Sequence, residues 1–227
     1  MSTATERNTG RPAGPRPPST FIYAVVGLLV AVLLLGAGGF LWLTGSTGGP
    51  SVGGPFTLEN SSGKTVTDRD FRGKYMLVYF GYTYCPDVCP TTLNAVAAAL
   101  DKLGPKAKDL SPIFITVDPQ RDTPEVMREY TQSFDPRIVG LTGTPQQIAA
   151  AAREYGAYYV RHWTGPGAND YVMDHSTYLY VIDPRGKFVR AFDTDMSGDR
   201  IVDALRELML QGRRKGTEGR DGDSRVN

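Results

Sequence analysis

Met76-Leu77-Val78-Tyr79-Phe80-Gly81-Tyr82-Thr83-Tyr84-Cys85-Pro86-Asp87-Val88-Cys89-Pro90 is the stretch on which the reading of this chain turns. Its first five residues form a continuous apolar run closed by glycine, the pattern of a strand buried on both faces. Cys85 and Cys89 follow, and they are the only cysteines among 227 residues. Four positions is about one helical turn, so on a helix the two sulfurs would share a face. Such a pair can clamp a metal with two thiolates or close as a redox disulfide, and the function depends on which.

Outward from this stretch, strands and helices alternate. Thr91 to Leu103 is rich in alanine and leucine and stops at Gly104-Pro105, which predicts a helix with a clear terminator. Ile113 to Val117 reads as a second buried strand, closed by Asp118-Pro119. Asp122-Thr123-Pro124-Glu125 places a cap and a first-turn proline ahead of a helix to about Phe134. Ile138 to Leu141 is a short strand, and Thr144-Pro145 opens a helix to about Tyr155. Thr177 to Ile182, the turn Asp183-Pro184-Arg185-Gly186 and Lys187 to Phe192 compose a β-hairpin. Ser197 to Leu210 is an amphipathic helix with Ile201, Leu205 and Leu208 on one face. The order predicts an α/β sandwich with a central mixed sheet. A cysteine pair at the carboxyl end of the first central strand, leading into a helix, resembles thioredoxin, where the helix amino terminus stabilises thiolate.

The two ends bear on compartment. Residues 1–20 are polar and rich in proline and glycine, with Arg7, Arg11 and Arg16 against Glu6. Phe21 to Thr44 then runs without a charge. A helix of that length rises roughly 36 Å, enough to cross a ~30 Å hydrocarbon core. Arginines precede the run and no charge follows until Glu59. The positive-inside rule therefore puts residues 1–20 in the cytoplasm and everything past the span outside. A cleaved signal peptide is the competing reading, with Phe21 to Leu35 as its apolar region and Gly36-Ala37-Gly38-Gly39 as small residues. The run continues through Phe40 to Leu43, which fits an uncleaved anchor better. Residues 45–55 form a linker, 56–210 one domain, and 211–227 a polar, glycine-interrupted tail expected to be disordered. Formal net charge is +1, so no field marks out nucleic acid as a partner.

Two histidines complete the set of soft donors. His162 lies in the glycine- and proline-rich run Arg161 to Gly167 and reads as a surface residue. His175 stands directly before the strand that opens the hairpin, in Met173-Asp174-His175-Ser176-Thr177. In a thioredoxin-like sheet that segment passes beside the cysteine helix, which makes His175 the candidate third ligand. Two thiolates and an imidazole suit copper(I), and copper(II) with one further weak ligand. Structural zinc wants four strong ligands. Asp174 or Asp87 supplies an oxygen at most, which disfavours zinc without excluding it. Iron–sulfur clusters usually need more thiolates than the chain owns.

Tyr84 to Pro90, then Val117-Asp118-Pro119-Gln120-Arg121-Asp122-Thr123-Pro124, then Asp174-His175-Ser176 with Asp183-Pro184-Arg185-Gly186, resemble the SCO/SenC family in residues and in order. The resemblance covers roughly residues 52 to 211. It implies a membrane-anchored, thioredoxin-fold copper protein of cytochrome c oxidase assembly, with copper on Cys85, Cys89 and His175. The implied role is a metallochaperone that passes one copper, Cu(I) or Cu(II), to the binuclear centre of oxidase subunit II. A copper donor protein or a thiol reductant would be a further partner. The domain would sit on the extracytoplasmic side of the cell membrane, behind a single-pass anchor. The alternative is a thiol–disulfide oxidoreductase that cycles Cys85 and Cys89 to keep the acceptor's cysteines reduced. Of the other motif residues, Asp118 and Asp122 read as turn and cap residues. Asp174 reads as a supporting acceptor or weak axial ligand for the site at His175, and Tyr82, Tyr84 and Tyr171 as screens around it.

Overall fold

The structure, a computed structural model, describes residues 52–223, with side chains through 212, together with Tyr23, Leu28, Leu29 and Val32–Gly36 of the apolar run. Those few residues of the run are helical. The rest of the span expected over 21–44, the segment 1–20 and most of the linker lie outside the described residues. Among the described residues, no helix is long and apolar enough to cross a membrane.

The domain is built on a seven-stranded mixed sheet in the order β2-β1-β5-β4-β3-β8-β9. Its strands are β1 (Thr57–Asn60), β2 (Thr65–Thr67), β3 (Tyr75–Gly81), β4 (Leu110–Thr116), β5 (Val139–Thr142), β8 (Tyr178–Ile182) and β9 (Phe188–Asp193). The apolar run around Leu77 becomes the central strand, parallel to β4 and antiparallel to β8. Every residue of β3 and of β4 is buried; β3 is a continuous hydrophobic run, and β4 holds a shorter one at Ile113–Ile115.

Four helices flank the sheet: α1 (Val88–Leu103), α2 (Pro124–Phe134), α3 (Pro145–Tyr155) and α4 (Gly198–Asp223). Side chains alternate along β3, so its odd and even residues serve different layers. Tyr79 faces Cys89 of α1 and the Phe114 ring, which in turn meets Tyr130 of α2, and Tyr75 donates to the Leu208 carbonyl of α4. Phe80, on the other face, packs with Tyr155 of α3 and Tyr180 of β8. The predicted terminators act as expected. Thr123 caps α2 by accepting from the Val126 N–H, and Thr144 and Gln147 form a capping box on α3. Gly186 closes the β8–β9 turn at φ 83°, where a side chain would be strained.

Three expectations change. Helix α1 begins at Val88, three residues before the expected Thr91, so Cys89 is helical while Cys85 lies in the preceding loop. Pro86 keeps Cys85 out of the helix, since it biases the residue before it away from helical geometry. The last helix continues to Asp223, through most of the stretch expected to be a disordered tail. Residues 211–223 contain no proline to stop the helix begun at Gly198, although four glycines fall among them. Third, the stretch read as a loop around His162 forms strand β6 (Tyr159–Trp163), which pairs antiparallel with β7 (Tyr171–His175) as a separate two-stranded sheet.

Candidate metal centre

The carboxyl end of β3 delivers Cys85 and Cys89. Gly81 at the end of that strand makes room for the pair. A Cβ built there would lie 2.6 Å from Cys89 Sγ and 2.7 Å from a Phe114 ring carbon. The loop after it is pinned by Asp122, whose carboxylate accepts from the Thr83 N–H at 3.0 Å, the Thr83 hydroxyl at 2.6 Å and the Thr116 hydroxyl at 2.6 Å. Burial pushes the Asp122 carboxyl up, and these three donors oppose the push. Asp122 is therefore a buried brace for the cysteine loop, and Thr123 is the helix cap.

His175 arrives on β7. The burial alternation along Tyr171 to His175 turns Tyr171, Met173 and His175 inward, and Val172 and Asp174 outward. His175 Nδ1 lies 3.0 Å from the Ser176 carbonyl oxygen. A carbonyl only accepts, so Nδ1 carries the proton and the Nε2 lone pair is presented to the cysteines. Nε2 lies 3.4 Å from Cys89 Sγ. Cys85, Cys89 and His175 are the one group of metal-ligating residues of three or more found among the described residues, with donor atoms all within 4.8 Å of one another.

That spacing fits a metal ion. An ion at ~2.3 Å from sulfur and ~2.0 Å from nitrogen, in a trigonal arrangement, separates its donors by roughly 3.7–4.0 Å. The two thiols are not bridged to each other. They differ in charge state. Cys85 is brought down to about 4, because the Cys89 thiol donates to it; burial opposes, and the backbone N–H groups of Cys89 and Asp87 add to the effect. Burial pushes Cys89 up, reinforced by its bond to Cys85 and by the Cys85 charge. The pair is thus one thiolate and one thiol.

The other sequence candidates fall into two groups. Tyr82 is buried with its ring edge-on to His175 at 5.8 Å, and so screens the site. Tyr84 is exposed beside Cys85. Tyr171 is buried, and its hydroxyl donates to Asp118 at 2.8 and 3.1 Å. His162 and Asp174 stand apart from the cluster. They pair with each other at 2.9 Å on the outward face of the hairpin. Asp174 is accordingly no ligand or acceptor for His175, and the group holds no oxygen donor from Asp87 or Asp174. One contact was not anticipated from sequence. The Tyr79 hydroxyl donates to Cys89 Sγ at 3.6 Å, and its ring lies edge-on to His175 at 6.0 Å. Burial drives the Tyr79 phenol far up, so it remains a donor. A tyrosine two residues before the strand's terminal glycine shares that glycine's face, which was the available signal.

The SCO1/SenC profile matches residues 44–210. Protein SenC of Rhodobacter capsulatus is 44% identical over 188 residues, covering 81% of this chain and 84% of that protein. The chain belongs to the SCO1/SenC family. Protein SCO1 homolog 1 of Arabidopsis thaliana is 39% identical over 170 residues, which are 74% of this chain and 50% of that longer mitochondrial protein. The crystal structure of Arabidopsis thaliana ScoI with copper bound superposes with a TM-score of 0.66 at 39% identity, covering 71% of this chain and 99% of that one. The domain accordingly has the thioredoxin-like α/β fold with a mixed central sheet, as the alternation of strands and helices predicted.

Proposed function

We propose that this SCO1/SenC protein is a copper metallochaperone that holds one copper through Cys85, Cys89 and His175 and passes it to the binuclear copper centre of cytochrome c oxidase subunit II. The observation that carries the reading is the convergence of two sulfurs and one oriented imidazole nitrogen within 4.8 Å. The donor set is soft and has no fourth strong ligand, which suits copper over structural zinc. A related Arabidopsis protein has been solved with copper bound. Transfer requires a site that can be opened one ligand at a time. Cys85, on a loop outside the helix, and His175, on an accessory hairpin, are the donors able to leave first. Residues 21–44 would anchor the chain in the membrane, with residues 1–20 in the cytoplasm and the copper domain outside.

A second reading rests on the asymmetry of the thiols. A Cys85 thiolate beside a protonated, buried Cys89 is the arrangement of an attacking and a resolving cysteine. In that reading the Cys85 sulfur attacks a disulfide of the acceptor, and Cys89 then displaces the acceptor's second sulfur. The acceptor gains two electrons and is left as a dithiol, while this chain is left with a Cys85–Cys89 bridge. A separate dithiol reductant resets it.

His175→Ala separates the two readings, because disulfide exchange needs the thiols and not the imidazole. In a strain lacking the native protein, the full-length variant should accumulate yet fail to restore oxidase activity. Restoration to the wild-type level without added copper would move the assignment to the oxidoreductase.

A further inference from the structure

His175 reaches the cysteines on β7, yet the β6–β7 sheet shares no strand pairing with the main sheet. The chain runs from it through Ser176-Thr177 into β8, and Tyr171 and Met173 are buried in the core. The polar contacts that fasten its other end come from the turn Asp118-Pro119-Gln120-Arg121-Asp122. Arg121 is 92% buried by side chain and is the hub of that fastening, since 8% of its side-chain surface remains exposed. Its Nε pairs with Asp118, a carboxylate with no exposed surface, and its Nη1 donates to the carbonyls of Tyr171 at 3.1 Å and Asn169 at 3.4 Å. Both carbonyls belong to the start of β7 or the residues just before it. The guanidinium also lies 3.7 Å from the Tyr171 ring centroid and 4.6 Å from that of Tyr84, next to Cys85. Asp118 closes the ring of contacts by accepting from the Tyr171 hydroxyl.

We propose that Arg121 is the positioning residue of the metal site: its planar guanidinium clasps the β6–β7 hairpin to the cysteine loop and so sets His175 at ligand distance from Cys85 and Cys89. The inference rests on the ligand set proposed above. Arginine is required because one flat, five-donor group does three things at once. It pairs with a carboxylate, donates to two backbone carbonyls and stacks on rings from both halves of the site. A lysine would keep the charge beside Asp118 and lose the clasp.

The deciding variant is therefore Arg121→Lys in the full chain, with Tyr171→Phe beside it. Tyr171→Phe keeps the ring and removes only the hydroxyl bond to Asp118. Two quantities are read. In the metal-free chain, hydrogen exchange of β6 and β7 amides should speed up about tenfold or more in Arg121→Lys while β3 and β4 amides stay as in wild type. Copper(II) affinity, followed by its sulfur-to-metal absorption, should fall about 10–100-fold, the range for loss of a group that orients a ligand. Copper(I), which two thiolates hold without the imidazole, should change by less than about threefold. Tyr171→Phe should show the same pattern more weakly, and it decides the matter by the same two readouts should Arg121→Lys not fold. Unchanged hairpin exchange overturns the proposal, as does faster exchange spread equally through β3 and β4. Faster hairpin exchange with unaltered copper(II) affinity also overturns it. A wild-type chain that takes no copper, with the hairpin loosened in Arg121→Lys, overturns the ligand reading and leaves the clasp intact.

Discussion

Cys89 and His175 stand 3.4 Å apart, but they are held by different means. Cys89 is fully buried at the start of α1, under a β3 that is hydrogen-bonded on both sides and buried along its whole length. His175 ends a five-residue strand whose one ladder partner is β6, a strand with no buried residue. One donor is part of the core, and the other is held by the two-residue run into β8 and by side-chain contacts. Cys89 should therefore resist perturbation until the fold itself gives way, whereas Cys85 on its loop and His175 on its hairpin should move more freely. A carrier of metal cargo needs that division, because release is easier when one ligand can leave without unfolding the rest.

Ligand removal should break the comparison most sharply. Cys89→Ser should abolish tight copper(I) binding in a chelator competition, since it takes one of only two thiolates. His175→Ala should lower copper(II) affinity by more than the roughly 10–100-fold that loss of a supporting group costs, while leaving copper(I) binding largely in place. Equal losses of both oxidation states in His175→Ala would mean that the imidazole is as integral as the sulfurs, and the division would be wrong.

Glycine substitutions probe the same contrast through packing. Gly81→Ala drives a methyl group against Cys89 Sγ and Phe114, neither of which has space to retreat. It should destabilise the chain by about 1–3 kcal/mol, as overpacking a full core does. In the hairpin turn, Gly165→Ala meets the carboxylate of the exposed Asp170, which must give up its bond to the Gly167 N–H to move aside. Its cost should stay near the roughly 1 kcal/mol of one exposed hydrogen bond. Denaturant midpoints at constant slope measure both. A cheap Gly81→Ala would show that the cysteine end of β3 is looser than its burial indicates.

The same contrast explains what could be read from the amino-acid sequence. Strand β3 announces itself as an unbroken apolar run buried on both faces, and β4 through the apolar core Ile113–Ile115, although Ser111-Pro112 hid its start. The helices α2 and α3 announce themselves through Thr-Pro starts that satisfy orphan N–H groups. Strand β6 does not, because Tyr159-Val160-Arg161-His162-Trp163 is half solvated and its turn is the glycine- and proline-rich Gly165-Pro166-Gly167. Cys85, Cys89 and His175 were legible as candidate donors because sulfur and imidazole are scarce in this chain, and the fold brings the three together. The Tyr79 bond to Cys89 depends on which face of β3 meets α1. The Arg121 clasp joins residues about fifty positions apart that no local pattern links. Spacing alone did not place Cys85, since a four-residue interval is served equally by a helical turn and by a proline-stiffened loop entering a helix.

Proton release on copper(I) binding gives the finest test, because it reads the two sulfurs without disturbing the fold. A thiolate must form for each sulfur that binds metal, and any proton displaced makes the affinity rise with pH. Cys85, at about 4, has already lost its proton at neutral pH, while Cys89 is pushed up and keeps its own. Binding therefore displaces one proton, from Cys89. Between pH 7 and 8.5 the apparent copper(I) affinity should rise about tenfold per pH unit, one proton per ion. Two ordinary thiols, both protonated at the start of that window, would give a steeper dependence. The slope should survive in His175→Ala, since it belongs to the pair seated in the core and not to the hairpin. A slope near zero would mean that Cys89 is already ionised. A change of slope in His175→Ala would show that the hairpin helps to hold the Cys89 proton, through the contact between Nε2 and Sγ.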